Sequence, residues 1–364
     1  MNESVIVIGG GVAGLSAAAY ARASGFDTTL VEHSAALGGV CTAWQRGPYL
    51  FDGCIHWLTG GPFTKVYEEL GILRRVQLEP IRHLATIEDR TTQAHVELTA
   101  DLDALERSLT ELAPADAKEL HHLFMAARAL PEVTPPLDKA PDLFTLRDGL
   151  GTLWEMKGEL ATVLHYQKPL AEYVAERLKT EALRRALTAF VPKEAPALFL
   201  LMVLGYLSRG WLSRPAGGSA AFRDALIDEV RELGVSIVTS ATVEEILVSD
   251  GEASGVRLAD GSFLRSDAVI CTSSMPELVF QLLGGRYQAA ATEERLAHWT
   301  LFPPIVLASY GVASPLSQLP QILVLRGVEP LDVGGVQNDT FYLRVYNDDR
   351  CHAPPGHSVV QAML

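Results

Sequence analysis

The sequence predicts an α/β protein in which a parallel-sheet domain with a β-meander is interrupted by a mainly helical region with added strands. Three observations predict this fold. A glycine-rich corner joins a β-branched run to an alanine-rich helical pattern near the start of the chain. Short alternating segments separated by Asp-Gly turns lie near residue 250, and helical patterns dominate between about residues 101 and 213.

The glycine-rich corner begins with residues 5–8, which are typical of a buried parallel strand. Gly9, Gly11 and Gly14 follow with the spacing G-x-G-x-x-G, and residues 15–23 favour a helix. These glycines suit a tight turn, the approach of a pyrophosphate to the backbone, and close packing of helix on strand. The start of the helix then attracts the phosphates through its free N–H groups and its dipole.

A second strand, residues 28–31, ends on Glu32, whose carboxylate can accept hydrogen bonds from ribose hydroxyls. The same carboxylate disfavours a cofactor that carries a 2′-phosphate. This order of elements predicts a dinucleotide site: a strand, a glycine-rich corner, a helix, a second strand and an acid. The alternative is a glycine-rich corner that binds no ligand.

Composition restricts the partners and the compartment. The chain of 364 residues has a formal net charge of −14, which argues against nucleic acid and against electrostatic binding to anionic lipid. No basic and apolar leader precedes the first strand. The cysteines are scattered without a C-x-x-C pair, which predicts a reducing compartment and neither a zinc site nor a disulfide framework; they are Cys41, Cys54, Cys271 and Cys351. We therefore expect no metal and a cytoplasmic location.

The remaining elements follow in order. A helix is expected over 64–71, two strands over 83–98, and a loop over 131–142 that breaks the helical region. Ser219 is expected to cap a helix that runs to Leu233. Further strands are then predicted, and those flanking Asp-Gly turns form the meander; they cover 235–239, 242–248, 253–258, 262–265, 267–271, 304–312, 340–346 and 357–364.

The domain organisation predicted from these patterns is discontinuous. Residues 1–75 and 214–300 form the two parts of the nucleotide-binding domain, 76–213 form the helical region, and 301–364 add strands to it. The most apolar stretch, residues 195–207, is too short to span a membrane. A buried helix is one interpretation, and the wall of an apolar substrate tunnel or a shallow membrane contact is the other.

Four stretches carry a resemblance to a known family: "VIVIGGGVAGLSAA", "LGGVCTAWQRGPYLFDGCIHW", "RPAGGSAAFRDAL" and "ATVEEI". In them the chain resembles the phytoene desaturase, carotenoid isomerase and retinol saturase group, which is related to the amine oxidases. The resemblance implies a glutathione-reductase-type, Rossmann-like FAD-binding domain with a β-meander. It also implies a substrate domain built from helices and an antiparallel sheet.

The resemblance implies a role for each matching position. The FAD pyrophosphate would lie against two glycine loops, with Val12 and Ala13 donating backbone N–H groups. The FAD-binding residues implied in this way are Gly9, Gly11, Val12, Ala13, Gly14, Glu32, Gly38, Gly39, Ile55 and Val243. Glu32 would bind the ribose, Val243 would meet the adenine, and Ile55 and His56 would lie along the flavin ring. His56 is either a catalytic residue that moves a proton or a packed histidine with a structural hydrogen bond.

The implied function is FAD-dependent oxidation or reduction of a lipophilic polyene or isoprenoid-like substrate by hydride transfer. Two alternatives stay open: an amine-oxidase-like or protoporphyrinogen-oxidase-like flavoenzyme, and a non-catalytic binding protein on the same fold. Peripheral membrane contact is also left open. Relatives have a late segment with another glycine pair, which this sequence lacks, so we expect the chain to be a fragment.

Overall fold

The computed structural model describes residues 3–53, 55–130, 160–287, 290–299, 305–347 and 351–364, with isolated positions between 139 and 151. Cys54 and almost all of the expected loop at 131–142 lie outside the described residues.

The described strands, numbered along the chain, are β1 Ser4–Ile8, β2 Asp27–Val31, β3 Ala43–Arg46, β4 Tyr49–Asp52, β5 Leu58–Thr59, β6 Leu78–Pro80, β7 His83–Asp89, β8 Ala94–Thr99, β9 Leu212–Pro215, β10 Ser236–Val238, β11 Val243–Ser249, β12 Glu252–Leu258, β13 Phe263–Arg265, β14 Ala268–Cys271, β15 Leu307–Val312, β16 Ile322–Val333, β17 Val336–Tyr346 and β18 Ser358–Met363. The described α-helices are α1 Val12–Ala23, α2 Thr64–Glu69, α3 Leu102–Leu112, α4 Ala117–Ala129, α5 Leu160–His165, α6 Leu170–Arg177, α7 Glu181–Leu187, α8 Ala197–Ser208, α9 Gly218–Glu232 and α10 Ala290–His298.

A four-stranded parallel sheet has the strand order β10-β2-β1-β14. Side chains along β1 alternate between two cores because successive residues of a strand point to opposite faces. Val5 and Val7 pack with α1 and α9, whereas Ile6 and Ile8 pack with the strands that follow β10. Both faces are therefore covered, which explains why β1 is apolar throughout.

The β-meander predicted near residue 250 is confirmed. Strands β11, β12 and β13 form an antiparallel three-stranded sheet in chain order. Asp250 and Gly251 both have positive φ, 54° and 88°, as a tight hairpin turn of this kind requires. The meander covers the face of the parallel sheet opposite α1.

A separate six-stranded sheet has the strand order β15-β18-β17-β16-β7-β8. The strands expected at 304–312, 340–346 and 357–364 are confirmed as members of it. The sequence did not predict β16, because Gly327 and Pro330 interrupt its alternation. The pairing with β17 shifts register between Arg326 and Leu331, which accommodates this interruption.

The apolar stretch at 195–207 forms the buried helix α8. Leu201 and Leu204 are fully buried in the large core that the helices share with the six-stranded sheet. The interpretation as a buried helix is therefore correct, and the stretch lies in the core. Of the helices in the described ranges, none has the length and apolarity needed to cross a bilayer.

Candidate functional site

The first glycine loop has a conformation that only glycine accommodates easily. Gly9 lies at φ +101° and its N–H donates to Val31 O at 2.9 Å. A Cβ on Gly14 would come within 1.8 Å of Gly9 O, which shows how closely α1 approaches the loop. Both glycines are therefore required by the turn and by the packing of the helix.

Gly11 differs, because the space beside it is open. It caps α1 without a side-chain hydrogen bond, and a Cβ there would meet only Gly39 Cα, at 3.9 Å. The first N–H groups of a helix have no partner within the helix, and Val12 and Ala13 supply two of them. An anionic group can therefore approach the backbone at this point.

The second glycine pair lies directly against the first loop. Gly38 N donates to Gly10 O at 2.8 Å, and a Cβ on Gly39 would come within 3.1 Å of Gly11 Cα. Gly38 and Gly39 have φ of +120° and +57°. The structure thus brings together the two loops that the family resemblance assigns to the pyrophosphate.

Glu32 holds its carboxylate at the edge of this loop. The residue is 6 % exposed; Oε2 accepts from Gly10 N at 2.5 Å and Oε1 accepts from Ser34 N at 2.8 Å. His33 Nδ1 lies 2.9 Å from Oε1. An ionised carboxylate offers about four lone-pair sites, so acceptor capacity remains for a hydroxyl.

Val243 begins β11 on the far side of Glu32. The segment before it is anchored there, since Ala241 N donates to Glu32 O at 3.0 Å. The Val243 side chain packs with the core that contains Ile8 and Val31. The loops and Val243 therefore surround one end of the parallel sheet, as a dinucleotide site requires.

Ile55 and His56 lie elsewhere, in a segment fixed by hydrogen bonds on both sides. Ile55 N donates to Ser219 Oγ at 2.8 Å, and Ile55 O accepts from Arg344 Nη1 at 2.7 Å. His56 O accepts from Arg214 Nε at 3.4 Å. The segment is thus tied to α9 and to the six-stranded sheet at the same time.

The expectation that Ser219 caps α9 is wrong. Gly217, at φ +81°, is the N-cap, and Ser219 lies inside the first turn. The Asp52 carboxylate instead accepts from Ser219 N at 2.6 Å and from Ser219 Oγ at 2.5 Å. Asp52 therefore takes the place of a capping side chain, and it comes from a strand 167 residues away.

Burial shapes the pKa of two groups in this region. Burial alone would raise the pKa of Asp52, but hydrogen bonds with His352 and Ser219 and the charge of Arg344 hold it at about 2. Burial lowers the pKa of His56 to about 4. The positive charges of Arg344 and Arg214 also lower it, whereas the negative charge of Asp52 raises it. His56 is therefore neutral near neutral pH.

A cavity of about 600 Å³ opens beside this segment. Ile55, the turn before α9 and strand β17 contribute to its wall, together with the last residues of β6 and β9 and the segment that leads into β7. No residue of 195–207 is among the described residues that line it. Sequence reasoning missed this cavity because its wall combines segments that lie far apart in the chain.

The residues present fit a flavin dinucleotide. Open space beside Gly11, free helix N–H groups and the Glu32 carboxylate match a pyrophosphate and an adjoining ribose. Ile55 stands apart from these groups, in the wall of the cavity, and His56 follows it in the chain. Within the described residues, no cluster of three metal-ligating side chains occurs.

Comparison with known proteins gives consistent results. The family described as flavin containing amine oxidoreductase matches residues 12–298. The lycopene-forming phytoene desaturase of Pseudescherichia vulneris is 26% identical over 97% of this chain and 74% of its own length. The zeta-carotene-forming phytoene desaturase of Myxococcus xanthus is 27% identical over 95% and 67%. An oxidoreductase of Methanosarcina mazei has a TM-score of 0.63 at 18% identity, covering 99% of this chain and 78% of that one, which shows the fold.

Proposed function

Because the chain belongs to the flavin containing amine oxidoreductase family, we propose that it oxidises a lipophilic polyene or isoprenoid-like molecule by desaturation. The chain is an FAD-dependent oxidoreductase. The observation that carries the proposal is the apposition of Gly11 and Gly39 beside the Glu32 carboxylate. The two desaturase relatives, each aligned over nearly the whole chain, support the substrate class and the direction.

The first glycine loop, the second glycine pair and Glu32 would hold the dinucleotide. Val12 and Ala13 would donate to the phosphates, and Glu32 would accept from the ribose. Val243 would contact the adenine. FAD, when bound, supplies a hydride acceptor, which the side chains of a protein cannot provide.

The substrate side of the reaction is assigned to the cavity beside Ile55 and His56. In a desaturation the substrate loses a hydride from one carbon and a proton from the next, and a C=C bond forms between them. His56 is neutral and its pKa is about 4, so it is a weak base for that proton. Water is a far weaker base still, so we assign the proton to the neutral His56 imidazole, which would pass it on to solvent.

The phosphate-loop assignment is tested by flavin content. The purified chain is reconstituted with FAD, passed through gel filtration and assayed for bound flavin by its visible absorption. We expect one flavin per chain, and a loss of most of it in Glu32→Ala. Glu111→Ala, an exposed acid on α3, is the matched control and should retain it. Equal flavin content in Glu32→Ala and Glu111→Ala would show that the glycine-rich corner is not the cofactor site.

The substrate class is tested separately. The reconstituted protein is mixed without oxygen with a polyene hydrocarbon carried in detergent micelles or with a polar amine such as putrescine. We expect loss of the flavin absorption only with the polyene. Bleaching by the amine alone would favour the amine-oxidase-like alternative. The cytoplasmic location and the peripheral membrane contact stay predictions.

A further inference from the structure

The cavity beside Ile55 has a charge that a hydrocarbon substrate does not need. Arg82, Arg214 and Arg344 line it, and Glu79 is the single carboxylate among its described lining residues. With histidines neutral, the lining therefore has a formal excess of two positive charges. Asp52 lies behind the wall at His352, and counting it leaves an excess of one. The chain as a whole carries −14, so this region opposes the overall charge.

Arg344 is held in place by a backbone carbonyl and an aromatic ring, neither of which carries a charge. It donates to Ile55 O at 2.7 Å, and its guanidinium lies 4.5 Å from the ring centroid of Tyr346. The residue is 6 % exposed. Within the described ranges, no carboxylate lies within 4.0 Å of its nitrogens. A guanidinium has five N–H donors, so a backbone carbonyl alone does not use its capacity.

Arg82 stands at the solvent side of the cavity. Its side chain is exposed, and in the part of the chain that the structure describes it forms neither a hydrogen bond nor an ion pair. The effect of the buried charges is visible on a neighbour, because burial, Arg344 and Arg214 together lower the pKa of His56 to about 4. The buried, fixed guanidinium of Arg344 and the exposed guanidinium of Arg82 together suit an anion that enters from solvent.

The rest of the wall is mixed, with an apolar part beside polar side chains such as His83, Gln321 and His352. Ile55, Ile81, Pro215 and Val345 contribute to the lining, and the volume is within the range of small-molecule sites. The combination suits a molecule with an apolar body and one anionic end. The formal excess of one charge, with Asp52 counted, matches a carboxylate better than a doubly charged phosphate.

We propose that this cavity binds the carboxylate of an amphiphilic, lipid-like substrate, with Arg344 and Arg82 as its charged partners. The inference rests on the proposed function, because it names the end group of the same lipophilic substrate. The substrate is thus an acid whose carboxylate lies near the contact between Arg344 and Ile55, with its apolar chain along the apolar part of the wall.

The test compares two probes that share one polyene chain and differ at the end. Binding of all-trans-retinoate and all-trans-retinol to the FAD-reconstituted protein is followed by quenching of tryptophan fluorescence. We expect retinoate to bind at least about tenfold more tightly than retinol. Arg82→Gln should weaken retinoate binding about threefold to fivefold, as fits an exposed charge, and leave retinol unchanged. Arg90→Gln, an exposed arginine beyond the far end of β7, is the matched control and should change neither.

Flavin content and the flavin midpoint potential are measured on the same samples. Both should be unchanged in Arg82→Gln if the arginine serves the substrate. Equal affinity for the two probes, or a variant that weakens both alike, overturns the proposal. A shifted potential with an intact preference for retinoate also overturns it, because Arg82 would then act on the flavin. Failure of the wild-type chain to bind flavin is a separate result that overturns the proposed function.

Discussion

Replacing Asp52 with asparagine should reveal how much this buried carboxylate stabilises the fold through its partners His352, Ser219 and Arg344. The carboxylate is 2 % exposed and accepts from both Ser219 N and Ser219 Oγ. Its pKa is about 2, against an ordinary value of 3.8. The difference of about 1.8 corresponds to about 2.5 kcal/mol at ~1.4 kcal/mol per pKa unit. An asparagine keeps one acceptor, but its amide would direct N–H donors at groups that are themselves donors.

We therefore expect Asp52→Asn to lower the free energy of unfolding by about 2–3 kcal/mol near pH 7. Because the pKa of the folded carboxyl is depressed, its stabilisation is complete above about pH 4 and is lost as the pH falls through about 2. The difference in the free energy of unfolding between wild type and variant should thus be constant between about pH 5 and pH 7 and become smaller below about pH 4.

The measurement is urea unfolding followed by tryptophan fluorescence. Asp228→Asn is the matched control, since this exposed acid on the same helix α9 contacts only Arg231 among described side chains, at 3.6 Å. It should change stability by less than about 0.5 kcal/mol. An Asp52→Asn variant as stable as that control would refute the argument, because the buried carboxylate would then contribute no more than a surface charge.

Three further predictions concern the cofactor site, the core and the histidine. Glu32→Ala should weaken FAD binding by about 1–3 kcal/mol, and Gly11→Val should weaken it further because its side chain fills the open space. Both affinities are measured by flavin titration, and unchanged affinity would contradict the assignment of the glycine-rich corner to FAD. Leu204→Lys should prevent folding, whereas Leu164→Lys, at a 65 % exposed position, should fold normally by circular dichroism; a well-folded Leu204→Lys would contradict the buried helix. His56→Gln should leave the shape of the pH–rate profile between about pH 6 and pH 8 unchanged, because the pKa of His56 is about 4 and it does not titrate there; a lost inflection in that range would show a titrating base.

Local patterns in the sequence predicted the parts of the structure that depend on neighbouring residues. The glycine corner was recognisable because Gly9 and Gly14 meet specific steric demands within one turn of chain. The hairpin at Asp250 and Gly251 was recognisable for the same reason, since both residues adopt positive φ. In each case a short segment contains the whole physical reason for its conformation.

The parts that were missed depend on contacts across long stretches of chain. Asp52 and Ser219 lie 167 residues apart, so no local pattern could show that a strand carboxylate replaces the helix cap. β16 was missed because a bulge interrupts its alternation. The polar cavity was missed because Arg82 and Arg344 come from different ends of the chain. The family resemblance indicated an apolar substrate route and gave no sign of these arginines.

The pairing of β7 with β16 has a consequence for how the protein is made. Thr86 pairs with Leu323 in the middle of the six-stranded sheet, and Val5 pairs with Ala268 in the parallel sheet. At a synthesis rate of ~5–20 residues per second, roughly 12–47 s pass between the emergence of Thr86 and that of Leu323. During this interval one edge of β7 has no partner, so the nascent chain exposes an unpaired strand edge to aggregation. Slow folding follows from such distant pairings, and the yield of active protein depends on what shields that edge on the ribosome.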